Sequence, residues 1–231
     1  MTRPSFRQQI LRAREEAILA STSRLLADKG FDAMTIDAVA ADVGIAKASL
    51  YKHFASKDLL ATAAVLKLLD RVVAFLTELE ATASASPLER LRAATRWGMQ
   101  AQLAGEMPWL SARNSALRAA LAADQAFGDR LNQVGALLGG WIGAAQKTGQ
   151  LNPQLPSEVI LYTLYARACD PVLELLRAGG KFQDERIVEM LLSTCFDGLS
   201  AGALPGRARP GIGPSVGAGP SSSIPYRVLR R

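Results

Sequence analysis

At 231 residues and 49% hydrophobic content, the chain is long enough for one ordinary domain, or for a small domain sharing a continuous core with a larger one. Ala and Leu far outnumber the β-branched and aromatic residues that sheets favour, which points to an all-α fold. The formal net charge is +6, but residues 1–60 hold 9 Lys/Arg against 7 Asp/Glu, residues 61–200 hold 13 against 14, and residues 201–231 hold 5 against none. Most of the excess therefore sits at the C-terminal end, and whole-chain basicity says little about partners. Cys169 and Cys195 lack C-x-x-C spacing and there is one histidine, so an ordinary Cys/His metal site is excluded and no cofactor is expected. Charged residues from Arg3 to Glu16 stand where a secretion signal needs an apolar core. The longest apolar stretch, Gly135 to Ala145, falls short of the ~20 residues that span a bilayer. The expectation is a cytoplasmic protein with no membrane partner.

From Gln8 to Lys29, Leu11, Ile18, Leu25 and Leu26 recur at helical spacing, and Gly30 follows as a C-terminal cap. Thr35 is placed to cap a short helix running to Asp42, which Gly44 ends. A third helix is expected over Ala46 to His53, and Ser56 caps a fourth from Lys57 to about Glu80. Ser86-Pro87-Leu88-Glu89 combines an N-cap, a first-turn proline and a capping-box glutamate, so a fifth helix starts there. Further helices are expected over Leu110–Ala123, Ala126–Lys147, Ser157–Arg177 with a kink at Pro171, and Asp184 to about Leu199. Residues 201–231 hold six Gly, five Pro and four Ser and read as a basic disordered tail.

Between Val43 and Lys57 there are three lysines and a histidine and no acidic residue. An apolar short helix, a glycine turn and a second short helix suit a helix-turn-helix whose second helix enters the major groove of double-stranded DNA. Lys47, Ala48 and Ser49 then approach base edges near its start. Thr35, Tyr51, Lys52, His53 and Lys57 flank the groove and meet phosphates, and Leu50 and Phe54 face the core. The plainer readings are a surface histidine, a half-packed tyrosine and solvated lysines.

The stretch Thr35 to Leu60, TIDAVAADVGIAKASLYKHFASKDLL, resembles the DNA-binding motif of the TetR-family transcriptional regulators. The ordered run of Thr35, Ile36, Val39, Ala40, Gly44, Leu50, Tyr51, Phe54, Ser56, Lys57 and Leu59 carries the likeness. It implies an N-terminal three-helix head joined to a larger helical ligand-binding and dimerisation domain, about nine helices in all. It also implies a homodimer paired through its last two helices and a pocket for a small-molecule effector. The expected organisation is a DNA-binding domain over residues 1–57, a ligand and dimer domain over 58–200, and the tail. Three positions depart from the pattern: Val43, Ala46 and Ala48. Ala46 is the consequential one, because a hydroxyl there would cap the helix and reach a phosphate.

In the larger domain, Trp97, Met107, Trp109, Trp141, Tyr162 and Tyr165 are candidates to line the pocket, against the plainer reading as core. Arg167 and Asp170 are spaced to pair with each other or with a ligand. Ile187, Leu191, Leu192 and Cys195 are candidates for the dimer interface. The expected function is a repressor released from a palindromic operator by a small molecule. The alternative is a constitutive or architectural DNA-binding dimer without an effector. Enzymatic activity is not expected: residues 61–231 show no phosphate-binding glycine loop, metal-ligand cluster or Ser/His/Asp set.

Overall fold

The computed structural model describes residues 5–82, 84–107 and 115–198. Every element among them is an α-helix: α1 Phe6–Ala33, α2 Ile36–Val43, α3 Lys47–Tyr51, α4 Lys57–Ala81, α5 Pro87–Leu103, α6 Ser115–Ala123, α7 Gln125–Lys147, α8 Ser157–Arg167, α9 Pro171–Ala178 and α10 Asp184–Phe196. No described helix is long and apolar enough to cross a membrane. The tail, Trp109 and the first residues of the helix expected from Leu110 lie outside the described residues.

The caps explain where the helices start. Thr35, Ser56 and Ser86 each accept a hydrogen bond from the backbone N–H three residues on, at 3.1, 3.1 and 3.2 Å. Glu89 returns the favour to the Ser86 N–H at 2.7 Å, completing the capping box. Asp124 caps α7, its Oδ1 accepting from the Phe127 N–H at 2.9 Å. Gly30 breaks α1 at φ +74°, and Gly44 closes α2 in the left-handed region at φ +73°, conformations that cost a side-chain-bearing residue free energy.

Three apolar clusters hold the helices together. Ile18, Leu26, Met34, Val39, Leu50 and Leu60 are fully buried where α1 to α4 meet, and the same cluster continues into Leu117, Leu121 and Phe127 of α6 and α7. The helix-turn-helix is thus built on a core continuous with the body. Leu76, Leu91, Leu138, Trp141, Ile142 and Leu161 join α4, α5, α7 and α8. Met99, Leu103, Leu173, Ile187, Val188, Leu191 and Leu192 join α5, α9 and α10.

The helix expected over Ser157–Arg177 is two helices. Pro171 has no N–H to continue the ladder, so the chain stops at Arg167 and restarts with Pro171 in the first turn. Asp170 makes the restart possible, its Oδ1 accepting from the Val172 N–H at 3.0 Å. From α5, the Gln102 amide clasps the break: it donates to the Asp170 carbonyl and accepts from the Asp170 N–H, both at 3.1 Å. The expected Arg167–Asp170 pair forms at 2.6 Å, with the carboxylate almost fully buried.

Candidate nucleic-acid interface

The end of the molecule formed by α2, α3 and the start of α4 is where the predicted DNA-contacting residues gather. Leu50 is fully buried and Phe54 nearly so, which fixes α3 on the head core and turns its other side outward. Lys47, Ala48, Tyr51 and Lys52 are exposed, Ser49, His53 and Lys57 are half-buried, and Thr35 is exposed at the start of α2. The hydroxyls of Thr35 and Ser56 use an acceptor lone pair for capping, so each keeps its proton to donate to a ligand oxygen. The N-terminal turns of α2 and α4, whose first N–H groups have no intrahelical acceptor, add positive partial charge at the same end.

The lysines are less free than an acid-free stretch of sequence suggests. Lys47 Nζ lies 2.8 Å from Asp37 Oδ2, and this hydrogen-bonded carboxylate holds its pKa above the usual lysine value. The glycine turn brings the ten-residue-distant Asp37 alongside. The pair is half exposed, so water screens it and it holds the lysine only weakly. Lys57 sits 4.5 Å above the Phe31 ring and donates to the Asp32 carbonyl at 3.2 Å; it positions the start of α4 against the end of α1.

Asp42, at the end of α2, is taken up by α1. The Ser21 hydroxyl donates to it at 2.6 Å and Arg24 forms an ion pair with it. These hydrogen bonds, that of Arg24 foremost, hold its pKa below the ordinary carboxylate range.

Ala46 occupies the N-cap position of α3 with extended backbone angles and no side-chain cap, as its departure from the family pattern implied. Ala46→Ser is therefore expected to stabilise the chain by about 0.5–1 kcal/mol, which for a chain of this size is a rise of roughly 1–4 °C in Tm. An unchanged melting temperature would count against this description of the first turn of α3.

Of the predicted pocket residues, Trp109 lies outside the described residues, and Tyr162 and Tyr165 meet edge to face at 6.4 Å. Trp141 is buried in the core and reaches Glu80 through its indole N–H. Tyr165 is packed beside it in the same cluster, and burial foremost pushes its hydroxyl pKa up to about 12. Trp97 stacks on Phe75 at 5.5 Å with the Arg71 guanidinium 5.6 Å from its ring. Tyr162 is exposed on α8, and Met107 is half-buried at the end of the segment following α5. Two open clefts, of about 590 and 420 Å³, are lined by other residues.

Within the single chain, the residues named for the dimer interface are mostly covered by its own helices. Ile187, Leu191 and Leu192 face their own subunit, packed on Met99, Leu103 and Leu173; the stripe on α10 is apolar because α5 and α9 cover it. Cys195 is half-buried, with burial raising its thiol pKa, and lines the smaller cleft with Val159 and Thr163 of α8. Among the described residues, no group of three or more His, Cys, Asp or Glu is placed to hold a metal.

Residues 18–64 match the family model of bacterial regulatory proteins of the tetR family. An uncharacterized HTH-type transcriptional regulator of Mycobacterium bovis is 44% identical over 54 residues, covering 23% of this chain and 27% of that protein. The chain thus matches about a quarter of the length of such curated relatives. The likeness to solved structures extends further. A TetR family transcription regulator of Marinobacter aquaeolei has a TM-score of 0.60 at 20% identity, covering 83% of this chain and 97% of that one. The regulator FadR of Bacillus subtilis, solved in complex with stearoyl-CoA, has a TM-score of 0.60 at 16% identity, covering 80% and 99%. At such identities the likeness is one of fold. Residues 18–64 are thus similar to the DNA-binding segment of the tetR-family regulators, and the described helices as a whole share the fold of such regulators.

Proposed function

We propose that this chain is a cytoplasmic repressor that binds a palindromic operator as a homodimer and leaves it when a small molecule binds the helical body. The observation that carries the DNA half is α3 itself. A five-residue helix pinned by the buried Leu50 presents Lys47, Ala48, Tyr51 and Lys52 to solvent beside the Thr35 and Ser56 caps. In this reading Lys47, Ala48 and Ser49 address base edges, and Thr35, Tyr51, Lys52, His53 and Lys57 hold the backbone. Two such heads fit half-sites ~34–36 Å apart.

For the dimer, the outward face of α8 replaces the residues named from sequence. Val159, Tyr162, Thr163 and Ala166 are all exposed at spacings of three, four and seven residues, with Leu155 just before them. A largely apolar stripe of this kind on a surface helix suits a partner helix.

Support for an effector comes from the Bacillus subtilis neighbour, which was solved with stearoyl-CoA; acyl-CoA thioesters are therefore the first ligands to try. An effector must bind the DNA-competent and DNA-incompetent forms with different affinity to release the operator. The constitutive reading is favoured by the packing of Trp141 and Tyr165 into the core rather than around a cavity. The two separate in one experiment: enrich binding sites from randomised duplexes, then titrate the complex with acyl-CoAs of increasing chain length. Repression with release predicts a palindrome and a concentration-dependent loss of binding. A palindrome bound equally at saturating thioester would remove this effector class.

A further inference from the structure

The first three turns of α1 project from the body: every residue from Ser5 to Ala17 is exposed, including Phe6, Ile10 and Leu11. A helix stretch of this length gains little from its own hydrogen bonds in water and is ordinarily held by packing of one face. Arg7, Arg12 and Arg14 lie on it, none of them ion-paired among the described residues.

The direction of this stretch follows from its continuation. The chain turns from the end of α1 directly into α2 at Thr35, while Ser21 and Arg24, one to two turns past the projection, meet Asp42 at the far end of α2. The two helices therefore lie antiparallel, and α1 overruns the α2–α3 turn by the 15 residues from Ser21 back to Phe6, ~22 Å at 1.5 Å per residue. The side of α1 that bears Ser21 faces the helix-turn-helix. Residues seven apart keep nearly the same side of a helix, drifting only ~20° per heptad, so Arg14 and Arg7 continue the Ser21 stripe. Arg12 points ~140–160° away from them at 3.6 residues per turn.

We infer that the projecting start of α1 is a second DNA-contacting element, in which Arg7 and Arg14 grip phosphates of the duplex beyond the groove that α3 enters. The inference rests on the DNA-binding reading above. The overrun exceeds the ~12 Å width of the major groove, and guanidinium groups match phosphate oxygens in charge and geometry. Phosphate contacts of this kind add affinity without sequence preference.

The test is the salt dependence of binding to a random-sequence duplex of about 40 base pairs. Each phosphate contact contributes ~0.9 to the slope of log affinity against log salt. The Arg7→Ala/Arg14→Ala variant of the full chain is expected to lower the slope by ~1.8 per subunit, making the loss of affinity between about 50 and 200 mM salt some tenfold smaller. Alanine favours the helix, so the segment keeps its form, and circular dichroism checks this. Arg12→Ala should leave the slope at the wild-type value, and lysine at positions 7 and 14 should restore most of it. Equal slopes for wild type and the double variant would overturn the inference while leaving DNA binding by α3 intact, as would an Arg12→Ala slope lowered as much per residue as that of the double variant. A double variant that loses binding to phosphatidylserine vesicles but keeps its DNA slope would assign the face to a membrane instead. Wild-type protein that binds no duplex at all at low salt would overturn both readings together.

Discussion

Leu192→Asp is expected to unfold the chain, whereas Tyr162→Asp is expected to leave a folded monomer. Leu192 is completely buried between α5, α9 and α10. Its replacement removes a large apolar side chain, worth about 3–5 kcal/mol in a close-packed core, and places a carboxylate where nothing hydrogen-bonds to it, which adds several more. Since domains are stable by only ~5–15 kcal/mol, little folded protein should remain at room temperature. Tyr162 is 47% exposed within the subunit, and a charge there costs the isolated fold little. In a dimer paired through α8 it meets its symmetry mate across an apolar face and opposes association. Circular dichroism together with light scattering distinguishes the cases. A folded Leu192→Asp monomer would return α10 to the interface, and an undisturbed Tyr162→Asp dimer would remove α8 from it.

Arg167→Ala is expected to be the most damaging change at a charged residue. The Asp170 side chain is only 3% exposed, and its Oδ2 has Arg167 as ion-pair partner and no hydrogen bond. Taking away the guanidinium strands a buried carboxylate, a loss of ~3–5 kcal/mol. Asp170→Ala should cost less, because the Arg167 side chain is 29% exposed and can turn toward water. Part of that smaller cost is the α9 cap, ~1 kcal/mol. Arg167→Leu combined with Asp170→Asn, which keeps a capping oxygen, should recover most of the loss, since a neutral pair avoids desolvating two charges. Urea denaturation at neutral pH reads all three. Equal, small effects would show that the pair is merely a surface contact.

These two sites mark where sequence reading stops. The caps at Thr35, Ser56 and Ser86 were legible because a cap bonds an N–H three residues away, a relation that the sequence contains. The helix-turn-helix core was legible for a similar reason, as Val39, Leu50 and Phe54 have few neighbours to choose from in so small a head. At Pro171 a break was readable, but the restart depends on Asp170 and on Gln102, 68 residues earlier. The stripe Ile187, Leu191, Leu192 shows that α10 is covered on one side. Whether the cover is α5 and α9 or a second copy is a tertiary fact that periodicity does not hold. The aromatic residues are limited in the same way: spacing gives a face, while Trp141 and Trp97 are aimed by the helices around them. The acid-free run around Lys47 concealed Asp37, which the glycine turn folds back against it.

The central claim is that the exposed side of α3 reads DNA. The direct measurement is the affinity of wild type, Tyr51→Ala and Lys47→Ala for a duplex enriched by the wild-type protein, each variant first checked for an unchanged melting temperature. Tyr51 is 46% exposed and Lys47 is held only by a solvent-facing pair, so neither change should disturb the fold. Loss of one groove or phosphate contact of ~1–3 kcal/mol predicts a fall of roughly tenfold to a hundredfold in specific affinity for each. Folded variants that bind the enriched duplex as tightly as wild type would contradict the assignment of α3 as the recognition helix.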